Sequence, residues 1–107
     1  MRKITRDELK GMIERKEHFV LIDARTHEGF DKEHIPGANS IPADHMEKEL
    51  VNDIKKDETI VTYCSSFACE SSTIAAKKLE KYGYKKVIDF KGGLADWKEA
   101  GYPTEKT

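Results

Sequence analysis

Two cysteines five positions apart carry the most reactive side chains in this sequence, and both lie in the segment Tyr63-Cys64-Ser65-Ser66-Phe67-Ala68-Cys69-Glu70-Ser71-Ser72. Ahead of it is the β-branched run Thr59-Ile60-Val61-Thr62-Tyr63. Behind it, Ile74, Ala75, Ala76, Leu79 and Tyr82 recur at helical spacing. Cys64 therefore ends a predicted strand, and Ser65, Ser66, Phe67, Ala68, Cys69, Glu70 and Ser71 form a loop leading into a helix. Free loop amides and the positive end of a helix dipole stabilise a thiolate, lowering a thiol pKa from about 8.5 into the range of about 3.5–7.5. Such a thiolate attacks sulfur, phosphorus or arsenic centres, and the same amides hold the resulting persulfide or oxyanion. The plainer alternative is a small buried residue at a strand end. Cys69 is either a resolving thiol for an adduct on Cys64 or a side chain packed beneath the loop. A bond between the two would close a tiny loop and constrain the unfolded chain little, so a structural staple is the weaker reading. With no second cysteine pair or nearby histidine to complete a tetrahedral set, no metal is expected.

The elements that must position this loop read as alternating strands and helices. Thr5-Arg6-Asp7-Glu8 is a capping box opening an amphipathic helix that ends near Lys16. Phe19-Val20-Leu21-Ile22-Asp23 is an apolar run closed by an acid, as suits a strand buried on both faces of a parallel sheet. Thr26 caps a short helix through Glu33, Pro36-Gly37 breaks it before the strand Asn39-Ser40-Ile41, and Pro42 stops that strand. Met46, Leu50, Val51 and Ile54 form a further helical stripe. Gly83 is placed to end the Ser72–Tyr82 helix in a left-handed conformation, Val87-Ile88-Asp89-Phe90 is the next strand, and Gly92-Gly93 opens a last helix with Leu94 and Trp97. This order predicts an α/β fold: an open, mostly parallel five-stranded sheet with helices on both faces. Ligands of such sheets bind beyond the carboxyl ends of the strands, where Asp23 and Cys64 both fall.

The 107 residues suit a single domain spanning 1–107. Nineteen basic and twenty acidic side chains give a net charge of -1, which offers nothing for displacing counterions from a nucleic acid. The basic start Met1-Arg2-Lys3 passes directly into polar residues, unlike a secretory leader, and no apolar run approaches a membrane span. A cytoplasmic protein binding neither nucleic acid nor membrane is expected, as a monomer or weak homodimer.

Several further segments fall in a recognisable order. They are Leu21-Ile22-Asp23-Ala24-Arg25, Glu33-His34-Ile35-Pro36-Gly37-Ala38 with Ile41-Pro42, Ile60-Val61-Thr62-Tyr63-Cys64, Tyr82-Gly83-Tyr84, Lys91-Gly92-Gly93-Leu94-Ala95-Asp96-Trp97, and Ala100-Gly101-Tyr102-Pro103. In order and spacing the chain resembles the rhodanese family of sulfurtransferase-like domains over almost its whole length. The resemblance implies that Cys64 accepts a sulfane sulfur from a small-molecule or protein persulfide donor and passes it to a thiol or other nucleophile, with no cofactor. It also implies that Asp23 and Arg25 brace the loop's surroundings; a structural ion pair is the expected role for them rather than catalysis, and an anchoring hydrogen bond the expected role for His34 rather than general base.

The loop departs from many members, which carry a shorter loop containing glycine and arginine. Phe67 stands in the glycine place and Cys69 in the arginine place, leaving Glu70 as the loop's one formal charge. Without a guanidinium to clamp a dianion, thiosulfate is expected to be a poor donor, and persulfides or polysulfides better ones. The related cell-division-cycle phosphatases need an arginine at the position of Glu70, so phosphatase activity is not expected. Two other functions stay open: a thiol redox or arsenate-type reductase that uses Cys64 and Cys69, and a non-catalytic rhodanese-like binding module.

Overall fold

The computed structural model describes residues 1–107 apart from the side chains of residues 49 and 50. Five strands, β1 (Arg2–Lys3), β2 (Val20–Asp23), β3 (Asn39–Ser40), β4 (Thr59–Tyr63) and β5 (Lys86–Phe90), form one sheet in the order β1-β5-β4-β2-β3. Every pairing in it is parallel. The three interior strands, β5, β4 and β2, are flanked on both sides, and their register aligns Asp23 with Tyr63 and Tyr63 with Phe90. All three strands thus end at one level, and Cys64 follows at that rim.

Parallel strands need crossovers, and the helices that supply them cover both faces. On one face α1 (Arg6–Glu14) and α4 (Gly93–Glu99) bury Leu9, Met12, Leu94 and Trp97 against Leu21, Val61, Tyr63, Ile88 and Phe90. On the other, α3 (Ser71–Lys81) buries Ala75, Ala76 and Leu79 against Ile22, Ile60 and Val87. The short α2 (His27–Lys32) buries no side chain and serves as a connection at the carboxyl rim.

Local signals placed the helix ends. Thr5 Oγ1 accepts from the Glu8 amide at 3.1 Å while Glu8 takes the Thr5 amide at 2.9 Å, completing the predicted capping box. Thr26 caps α2 through the Gly29 amide at 3.1 Å. Gly83 has φ +100°, the left-handed stop expected after α3.

One predicted helix is replaced. Of the stripe Met46, Leu50, Val51, Ile54, only Leu50 and Val51 fall in a helix, the short 3-10 turn Lys48–Val51; Met46 follows a second 3-10 turn, Ala43–His45, Ile54 lies in a bend, and the side chain of Leu50 is outside those described. The carbonyls an α-helix would use internally are taken by side chains of the α3–β5 region. Lys78 Nζ donates to the Ala43 carbonyl at 2.6 Å, Tyr82 Oη to Met46 at 3.0 Å, and Tyr84 Oη to both Val51 and Ile54. Met46 and Val51 still reach the core, so the apolar pattern was right and its period wrong. Among the described residues no helix is long and apolar enough to cross a membrane.

Candidate functional site

Cys64 is buried at the end of β4 and lines a pocket of about 260 Å³ at the carboxyl rim of the sheet, together with Arg25, Thr26, Asp44, Ser65 and Ser71. A larger space of about 330 Å³ lies at the opposite, amino-terminal ends of β4 and β5, and its lining, which includes Thr59, Glu80 and Lys86, offers no thiol. The chemistry and the strand topology therefore select the same rim.

The loop is gripped from β5 and α4. The Leu94 amide donates to the Cys64 carbonyl and the Ala95 amide to the Ser65 carbonyl, both at 2.9 Å, so the opening of α4 abuts the start of the loop. Gly93 makes that approach possible. It has φ +68°, and a Cβ there would lie 2.5 Å from the Cys64 carbonyl oxygen and 2.9 Å from the Ser65 carbonyl carbon. Neither backbone atom yields cheaply. Gly93→Ala is therefore expected to cost more than the roughly 1–2 kcal/mol of the left-handed conformation alone, and to shift residues 64–65. Urea unfolding together with the alkylation rate of reduced Cys64 checks this; an unchanged rate would show that the loop does not depend on the contact.

Across the loop, the Cys69 amide donates to the Ser66 carbonyl at 3.0 Å and closes a turn. Among the described residues the amides of 65–68 and 70–73 have no hydrogen-bond partner. Together with the start of α3 they form a set of donors free to meet an anionic group. Phe67, 65% exposed, sits on this turn and faces water. The sequence showed Glu70 as the only charge here, but the fold adds Lys91, whose ammonium donates to the Cys69 carbonyl and lies 3.9 Å from Glu70.

Cys64 and Cys69 are joined by a disulfide, with Cα atoms 6.2 Å apart. The bond that loop length made the weaker expectation is thus present. With the bridged residues only five apart, its stabilising effect is at the low end for a disulfide, about 2 kcal/mol. The Ser65 hydroxyl lies 3.9 Å from Cys64 Sγ.

The supporting residues divide. Asp23 is fully buried; its carboxylate accepts from Arg25 Nε at 3.0 Å, Arg25 Nη2 at 2.7 Å and the Arg25 amide at 2.9 Å. Burial alone would lower the Arg25 pKa, but Asp23 outweighs it and holds the guanidinium above its ordinary value. Burial, reinforced by Asp23, raises the Tyr63 phenol, whose oxygen accepts the Ile35 amide at 3.1 Å. Arg25 reaches the Cys64 pocket, whereas Asp23 stays behind it. His34 is not in the pocket lining: Nδ1 is 2.7 Å from the Phe30 carbonyl, its ring stacks on Phe30, and its backbone pairs with Glu105. Its backbone ties residue 105 to the end of α2.

Sequence reasoning missed Asp44 and Lys91. Asp44 lies between Pro42 and the stripe that begins at Met46, and Lys91 reaches the loop from 22 residues away. No short-range pattern marks either.

Fold and loop together define a parallel α/β domain built around a cysteine at a strand-to-helix turn. Residues 5–100 match the model of the rhodanese-like domain, and the chain belongs to that family, within the rhodanese and sulfurtransferase superfamily. A sulfurtransferase of Allochromatium vinosum is 31% identical over 101 residues, covering 94% of this chain and 92% of that protein. The putative sulfur carrier protein YrkF of Bacillus subtilis is 33% identical over 95 residues, covering 89% of this chain and 50% of YrkF. The crystal structure of the BH2092 protein from Bacillus halodurans superposes with a TM-score of 0.94 at 29% identity, covering 99% of this chain and 77% of that one. The chain spans half or less of the length of several curated relatives it matches, at 50%, 23% and 48%.

Proposed function

We propose that the protein is a sulfurtransferase or persulfide carrier in which reduced Cys64 takes a sulfane sulfur from a persulfide or polysulfide and hands it to a thiol acceptor. The observation that carries this reading is the position of Cys64, on a pocket at the head of α3 with unpartnered amides of residues 65–68 beside it. The relatives named as a sulfurtransferase and a putative sulfur carrier support it. The reaction begins from the reduced pair, because a sulfur already in a disulfide cannot act as the nucleophile. A reducing compartment such as the cytoplasm would keep it so.

Thiosulfate is a poor donor in this reading. Arg25 is the pocket's cation, but its charge is already matched by Asp23, and Asp44 adds an acid to the lining. A dianion would meet little net positive charge there. Reduced protein is mixed with polysulfide, cysteine persulfide or thiosulfate and weighed by mass spectrometry. A gain of one sulfur is expected from the first two donors and little from the third. No adduct from any donor would remove the proposal, and efficient loading by thiosulfate would remove the specificity argument.

A further inference from the structure

We propose that Cys69 is a built-in resolving thiol that discharges the Cys64 persulfide as sulfide, and that Lys91 is the positioning residue that holds Cys69 in reach. The inference rests on the sulfur-carrier reading of Cys64 and extends it to a second activity, reductive release of sulfide when no acceptor arrives. Its basis is that residues 91–95 grip both ends of the loop. The Leu94 amide fixes the Cys64 carbonyl at 2.9 Å, and the Lys91 ammonium fixes the Cys69 carbonyl. The intervening turn is closed by the Cys69 amide on the Ser66 carbonyl at 3.0 Å, and the two sulfurs are in fact bonded. A bridge between residues five apart stabilises less than one closing a long loop, so a structural purpose alone is not needed to account for the pairing. A chemical purpose accounts for it.

The step balances as Cys69–SH + Cys64–S–S⁻ → Cys64–S–S–Cys69 + HS⁻. The Cys69 sulfur attacks the inner sulfur on Cys64, forming the intramolecular disulfide. The bond from that inner sulfur to the terminal sulfur breaks, and its electron pair leaves with the terminal sulfur. The Cys69 proton ends on the leaving hydrosulfide. The two cysteines are oxidised by two electrons in total and the sulfane sulfur is reduced to sulfide. A thiol reductant of the glutathione or dithiol class then restores the pair, 2 RSH giving RSSR. Transfer to an acceptor thiol, by contrast, attacks the terminal sulfur and leaves Cys69 untouched. The fate of the sulfur is therefore set by competition between an external thiol and Cys69.

The test loads the reduced full-length chain with polysulfide, removes the excess, and follows free sulfide and protein mass with time. The parent is expected to release one sulfide per chain while losing the added sulfur and two hydrogens. Cys69→Ser and Cys69→Ala are expected to keep the persulfide at least about tenfold longer. Lys91→Ala is expected to load Cys64 at the parent rate but to release sulfide several-fold more slowly, with Lys91→Arg restoring release. Equal persulfide lifetimes in the parent and both Cys69 variants overturn the inference and leave the carrier reading standing. Failure of the parent and both Cys69 variants to load overturns both. Release from Lys91→Ala at the parent rate overturns the role given to Lys91.

Discussion

Cys64→Ser is expected to take up no sulfur from polysulfide or cysteine persulfide, its rate falling below about one-thousandth of the parent's. A serine hydroxyl is scarcely ionised at neutral pH and has no counterpart to the persulfide bond. Cys69 is not expected to substitute, because it is absent from the lining of the pocket through which a donor reaches Cys64. The loss is one of chemistry and not of fold: the variant also lacks the disulfide, so it is compared with the reduced parent, in which the bridge is absent too. Circular dichroism and urea unfolding near the parent's values, with no one-sulfur adduct, are the expected pair of results. Uptake at the parent rate would move the nucleophile elsewhere, and Cys64→Ser with Cys69→Ser would then show whether the second thiol had carried it.

The parts of this site that could be read from the sequence are those set by residues a few positions apart. Thr5 and Glu8 announce a helix start because the donors they satisfy are their own neighbours. Cys64 could be placed because a β-branched run and a helical stripe flank it on either side. Asp23 and Arg25, two residues apart, carry opposite charges within reach of each other and form an ion pair. The illegible parts depend on distant partners. β1 is two exposed residues whose strand character exists only because Arg2 and Lys3 pair with Ile88 and Asp89. Met46 to Ile54 carry an apolar stripe suited to an α-helix, yet Lys78, Tyr82 and Tyr84 claim carbonyls from Ala43 to Ile54 and hold the segment in tighter turns. Gly92-Gly93 was legible as a helix opening, but the reason for Gly93 is a contact with the Cys64 backbone 29 positions earlier. Beneath α3, Thr73 Oγ1 donates to the buried Asp89 at 2.7 Å, another pairing that no local pattern announces.

The largest stability effect is expected at Arg25, whose replacement by alanine leaves a fully buried carboxylate without its cation. Asp23 has no solvent exposure and the Arg25 side chain only 14%, so water cannot take over the lost contacts as it does for surface pairs. Breaking one side of such a pair costs about 3–5 kcal/mol. More than one element is involved. Arg25 Nη2 also donates to the Glu33 carbonyl, and the Tyr63 oxygen that accepts the Ile35 amide sits close enough to Asp23 for its phenol to feel the carboxylate. Arg25→Lys should recover only part of the loss, because an ammonium cannot offer the same planar fork to a carboxylate and a carbonyl together. Adding Asp23→Asn to Arg25→Ala should cost less than the sum of the single changes, since the stranded charge is then gone. Urea unfolding of the reduced proteins measures all four, and a cost below about 1 kcal/mol for Arg25→Ala would place the pair among weak surface bridges. Because Arg25 lines the Cys64 pocket while its partner lies behind it, the same variant should open the rim and raise the alkylation rate of reduced Cys64. The two readouts moving together would show that the ion pair shapes the pocket as well as securing the sheet.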